Sequence, residues 1–149
     1  MKINIIHAIA VALFATACSG NNKQNDDADI RGQWYLENIV LSDSENVRPM
    51  EEVTDSRQYI QFEDSTYFIK TNCNSISGFY TIKGDSINLG AGMMTRMACE
   101  NMATEDALYR ILPRIVTVDI ENDSIARLNS NTDSAYIVLR KATEKIEIE

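Results

Sequence analysis

The sequence predicts a mainly-β fold: about eight short strands curled into a small antiparallel barrel, with one α-helix. Three observations carry this. Short runs alternate apolar and polar side chains and are separated by turn-forming residues. One segment alone switches to helical spacing. No strand–helix–strand alternation occurs, which argues against a parallel sheet. An antiparallel sheet that closes on itself removes most exposed edges.

The elements follow in order. In "RGQWYLENIVL", Trp34, Leu36 and Val40 alternate with Tyr35, Glu37 and Ile39, the period of a strand. Residues 42–56 are polar, contain Pro49 and read as a long connection. "RQYIQFED" and "STYFIKTN" are two strands separated by a turn around Glu63–Ser65. "SGFYTIKGDSINLG" reads as a hairpin turning at Gly84-Asp85. The helix begins after Thr104, read as its N-cap, with Glu105 and Asp106 in the first turn, where carboxylates suit the helix dipole. Leu108, Ile111, Leu112 and Ile115 then recur at helical spacing, and Pro113 should end the helix early. In "IVTVDIEN", Val116, Val118 and Ile120 should face one way and Thr117, Asp119 and Glu121 the other. Asn122-Asp123 makes a turn, "SIARLN" returns, and "AYIVLRK" is the last strand.

Length and charge narrow the function classes. The 149 residues suggest one domain, and 44% hydrophobic residues can build a core. A net charge of -8 repels phosphates, so nucleic acid and anionic lipid headgroups are poor partners.

The N-terminus reads as an address. Lys2 precedes an apolar run, Ile3–Ala17, that is too short for an ordinary membrane span. Small Ala15 and Ala17 precede Cys18, and the small-residue pattern places a cleavage after Ala17. Cleavage there leaves a thiol at the new N-terminus, so "ATAC" resembles a bacterial lipobox, although leucine is usual where Ala15 stands. The expected organisation is a lipoprotein signal peptide at 1–17 and a lipidated Cys18 with a flexible tether over 18–29. A barrel domain at 30–143 and a charged tail at 144–149 follow. Cleavage also removes His7, the one histidine, so no Ser-His or Cys-His pair can be assembled from the mature chain.

Assigning Cys18 to lipid leaves Cys73 and Cys99 as a pair in an oxidising compartment, where disulfides persist. On the chain-entropy model such a loop closure stabilises by about 3 kcal/mol. Free buried thiols are the alternative. A nucleophilic Cys73 lacks a histidine, and the spacing is not that of a thioredoxin-type redox pair. Asn72 and Asn74 read as residues that satisfy backbone groups in a tight bend.

Taken together, "RGQWYLENI", "YIQF", "NCNSISGFY", "GDSINLG" and "MTRMACENM", then a helix and two closing strands, resemble the META domain of the HslJ-type bacterial lipoproteins, over roughly residues 31–141. Trp34 lies in the first of these stretches. The most specific matches are Cys73-Asn74 with Gly78 and Tyr80, and Thr95 with Met97-Ala98-Cys99; Asn72 stands where glycine is frequent. The resemblance implies a strongly bent antiparallel barrel carrying one helix, an envelope location and an association with stress tolerance. It implies structural roles for Trp34, Asn74, Gly78, Tyr80, Thr95 and Met97, and no active site.

Two other clusters carry groups capable of chemistry. Met93, Met94, Met97 and Met102 around Cys99 offer soft ligands that suit Cu(I), against the alternative that methionine fills irregular core space. Asp119, Glu121 and Asp123 alternate along a strand and read as a solvated face rather than a calcium or acid–base site. Most of Trp34, Tyr35, Tyr59, Phe62, Tyr67, Phe68, Phe79 and Tyr80 should be core, with a few lining a barrel mouth. The expectation is a non-enzymatic protein without metal or cofactor, anchored by lipid in the envelope, at an outer membrane facing periplasm or cell surface. It would bind a protein or peptide. A small-ligand barrel and an inhibitor of a basic hydrolase are the alternatives, and an enzyme using carboxylates is the remote one.

Overall fold

A computed structural model describes residues 27–132 and 134–143. Cys18 and the charged tail 144–149 lie outside the described residues.

Strands β1 (Gly32–Ser42), β2 (Glu45–Val47), β3 (Tyr59–Phe62), β4 (Thr66–Lys70), β5 (Ser75–Lys83), β6 (Ser86–Leu89), β7 (Met93–Met94), β8 (Ile115–Glu121), β9 (Ile125–Ser130) and β10 (Tyr136–Lys141) form one antiparallel sheet. The order β1-β3-β4-β5-β6-β8-β9-β10 returns to β1, closing an eight-strand barrel. β2 extends the sheet beyond β1, and β7 adds to β5. The connection 42–56 therefore holds a short strand and a one-turn helix, α1 (Pro49–Glu52), rather than irregular chain. Helix α2 (Ala103–Ile111) runs into a 3₁₀ turn, Leu112–Arg114, where Pro113 removes an amide the α-helix would need.

The turns form where their residues demand. Asn122 and Asp123 both take positive φ (51° and 55°), the requirement of a two-residue hairpin turn matched to strand twist. Gly84 does the same at φ 62° between β5 and β6. The end of the expected tether is tied to that turn: Ala28 N–H donates to Gly84 O (2.8 Å), and Gly84 N–H donates to Asp27 Oδ1 (2.7 Å).

The barrel interior is filled. Trp34, Leu36, Ile39, Ile60, Phe62, Tyr67, Ile69, Leu108, Ile111, Leu128 and Ile137 are all at least 98% buried. α2 packs against β1, β2 and α1, turning Ala107, Leu108 and Ile111 into this core.

Strict alternation fails at two bulges. The β1–β10 register shifts between Leu36 and Asn38, so the inward face passes from Trp34 and Leu36 to Ile39 and Leu41. Ile39, not Val40, is core. A second shift between Ile115 and Thr117 leaves Val116 exposed while Ile115 and Val118 point inward. The aromatics divide: Trp34, Tyr59, Phe62, Tyr67 and Tyr80 are buried, Tyr35 and Phe68 are half-buried, and Phe79 is 72% exposed.

Candidate functional site

The two places where the barrel is joined across sequence-distant strands differ. β1 and β10 share six residue pairs. β6 and β8 share one, Ser86 with Thr117, where Val118 N–H donates to Asp85 O (2.8 Å). From Asn88 onward β6 has no strand partner on that side among the described residues. Gly90 N–H donates to Phe79 O (2.9 Å), so by ladder alternation the peptide groups of Leu89 point away from β5, toward the gap.

A cleft of about 610 Å³ opens there. One wall is the β6 end and the segment Gly90–Arg96, and the other is α2 with its 3₁₀ turn, through Leu108, Tyr109, Leu112 and Pro113. Ile76, Leu89 and Met94 make the lining mostly apolar, and Arg96 is its one charged side chain. Tyr109, 72% exposed, stands at the rim.

Two glycines shape the wall. Tyr67 lies against both Gly78 and Gly92: a Cβ on Gly78 would sit 2.7 Å from its ring, and one on Gly92 2.6 Å from its hydroxyl. The hydroxyl donates to Gly90 O (3.1 Å), and burial pushes its pKa up, keeping it a donor. Gly78 is thus the slot for an aromatic ring. Tyr80 is buried edge-on against Phe62, with centroids 5.1 Å apart, and donates to Glu63 O (2.6 Å). Trp34 is buried at the other join, its Nε1 donating to Ile30 O (2.7 Å).

The wall segment is held in place by the turn that carries Cys73. A disulfide joins Cys73 to Cys99. Asn74 uses its side chain as a strand would use its backbone: Oδ1 accepts from Met97 N–H (2.8 Å) and Nδ2 donates to Met97 O (3.0 Å). Thr95 Oγ1 donates to Asn74 Oδ1 (3.0 Å) and accepts from Ser75 N–H (3.0 Å). Asn72 Nδ2 donates to Asn101 O (3.0 Å). The asparagines around Cys73 thus fasten a distant segment rather than only their own bend. Met97 contributes its backbone; its side chain is 57% exposed, so it fills no core. Met93 is exposed as well, and Met94 lines the cleft. With Cys99 in the disulfide, it offers no thiolate to the methionines around it.

The helix start also differs from expectation. Thr104 is not the N-cap: it is buried inside the helix, and Asn101 Oδ1 accepts the Ala103 N–H (3.0 Å) instead. Glu105 is not a surface charge beside the dipole. It is 1% exposed, and its Oε1 accepts from Thr71 Oγ1 (2.6 Å) and Asn74 N–H (3.2 Å). It therefore ties α2 to the Cys73 turn. Asp119 and Glu121 are exposed, and Asp119 accepts from Asn129 Nδ2 (2.7 Å), as a solvated face would.

The META domain model matches residues 28–143, the whole of the barrel with its disulfide-held turn. The chain belongs to the META domain family. This META domain is similar in fold to an NMR structure of a protein from Burkholderia xenovorans, with TM-score 0.63 and 19% identity over 97% of this chain and 99% of that one. It is also similar to the crystal structure of a duf4847 family protein from Bacteroides vulgatus, with TM-score 0.52 and 11% identity over 76% of this chain and 94% of that one. Among curated proteins, none matches the chain. At these identities the likeness concerns the fold alone.

Of the cleft residues, the sequence marked for a ligand only Tyr67, among the aromatics that could line a barrel mouth, and Met94, among the methionines. The signal of the cleft itself was "INLGAGM": a strand that runs apolar to its end and then meets two glycines, with Arg96 soon after.

Proposed function

We propose that this META domain is a non-enzymatic binding module, held in the bacterial envelope by a lipid on Cys18, that takes an extended apolar peptide segment of a partner protein in the cleft beside β6. The observation that carries the reading is the cleft itself, an apolar groove between an unpaired strand end and a helix. Such a groove offers main-chain bonds along the strand and pockets for side chains, the means by which a sheet edge receives a peptide. Its volume lies within the range of about 300–1,000 Å³ usual for binding sites. The filled barrel interior favours this groove over a ligand carried inside the barrel. "ATAC" and the polar residues behind it support the anchor.

Hexapeptides with apolar side chains, titrated into the isotopically labelled full chain, should shift amide resonances of residues 88–96 and 108–113. Tyr109→Ala and Met94→Glu should each weaken binding. Shifts confined to the opposite wall, β1 and β10, would defeat the reading. Mass spectrometry of the native N-terminus should find an acylated Cys18; an unmodified cysteine there would remove the anchor.

A further inference from the structure

Resting on the peptide reading above, we infer that the cleft recognises the C-terminal end of its peptide, with Arg96 receiving the free carboxylate and the apolar lining receiving the last side chain.

Three features converge on that ligand class. Leu89 turns unpaired peptide groups toward the gap, which calls for an extended backbone. Ile76, Leu89, Met94, Leu108 and Leu112 call for an apolar side chain. Arg96 calls for an anion. Its backbone is held at the groove, because Thr95 is bonded to Ser75 and Met97 to Asn74 on either side of it. It forms no ion pair with any described residue, in a chain that carries 22 acidic residues against 14 basic ones. Other arginines are occupied: Arg31 with Asp29, Arg48 with Glu51, Arg110 with Glu45 and Arg140 with Glu37. A guanidinium presents a planar fork that matches a carboxylate. An acidic surface repels most anions, so one cation at an apolar groove selects a ligand that brings its charge and its apolar body together. A fatty acid would meet two of the three features but has no backbone for the Leu89 edge. A peptide terminus meets all three.

The test uses labelled hexapeptides ending in Leu, Val or Phe, each as the free acid and as the C-terminal amide, read by fluorescence anisotropy with the full chain. The free acids should bind, and amidation should weaken them about tenfold, the size of a lost charged hydrogen bond. Arg96→Gln should bring free acids and amides to the same affinity, and Arg96→Lys should restore part of the preference. The exposed position of Arg96 means these variants should melt as the parent does. Equal binding of acids and amides by the parent would overturn this inference while leaving the peptide reading standing. A preference that persists in Arg96→Gln would also overturn it. If dodecanoate binds and no peptide does, both readings fall.

Discussion

The barrel is joined twice, and the two joins are built differently. At β1–β10, six residue pairs run past a bulge, Trp34 is buried beneath, and Lys141 Nζ lies 4.3 Å from its ring centroid. At β6–β8 one pair holds, and then the strands part around a helix turn and a cleft. An eight-strand barrel can be closed by hydrogen bonds all round. Here one join carries the closure and the other is left with backbone to spare. Binding surfaces are drawn from the less stable parts of a fold, and the contrast supports the proposed cleft at the weaker join.

The largest effect should come from the tight join. Trp34→Ala should cost about 3–5 kcal/mol in urea unfolding, as buried tryptophans do; a loss below about 1 kcal/mol would show that this join is not where closure is secured. Next comes the turn that holds the cleft wall. Cys73→Ser should cost about 3 kcal/mol, and peptide binding should weaken with it, because segment 93–99 would then rest on the short β7 pairing and the Asn74 and Thr95 bonds, without a covalent tie. Unchanged stability under reducing and non-reducing conditions would rule out that role.

Much of this was legible in advance for physical reasons. Turn residues report local backbone demands, so Gly84 and Asn122-Asp123 could be placed from sequence. The cysteine pair followed from an odd count and one thiol assigned to lipid. Facing was less legible. A bulge inserts one residue and reverses every later side chain, and nothing in "WYLENIV" marks where it falls; strict alternation groups Val40 with Trp34 and Leu36, whereas Ile39 is the core residue. Asn101 and Thr104 are both good caps by type, and tertiary packing buried Thr104. Glu105 looks like any first-turn carboxylate, and only its meeting with Thr71 shows otherwise. The cleft was invisible because it depends on where pairing stops, and the β6 residues read as an ordinary strand.

Smaller effects refine the contrast. Gly78→Ala should cost about 1–3 kcal/mol, since its Cβ meets the buried Tyr67 ring and that ring must shift. The shift would also release the Tyr67 bond to Gly90 O, so peptide affinity should fall. An alanine variant as stable as the parent would show that the Tyr67 slot is loose. The smallest effect lies at the lip of the tight join. The hydrogen bond from Arg31 holds the Asp29 carboxyl down at about 2, below its ordinary 3.8. Stability from this pair is therefore full above the unfolded value and is lost as pH falls from about 4 toward 2. The pair is exposed, so the change should be slight. Asp29→Asn should remove that part of the acid dependence of the melting temperature, and an identical acid profile would contradict it.

Amide hydrogen exchange, resolved by residue with and without a free-acid hexapeptide, tests the central claim most directly. In the free protein the amides of β1 and β10 should exchange slowest, and Leu89 should exchange much faster than its neighbour Asn88, whose amide is turned toward β5. On adding peptide, Leu89 should gain protection while the β1–β10 amides stay as they were. Leu89 already protected in the free protein, or protection gained only outside residues 88–96 and 108–113, would contradict a barrel left open at β6–β8 to receive its partner.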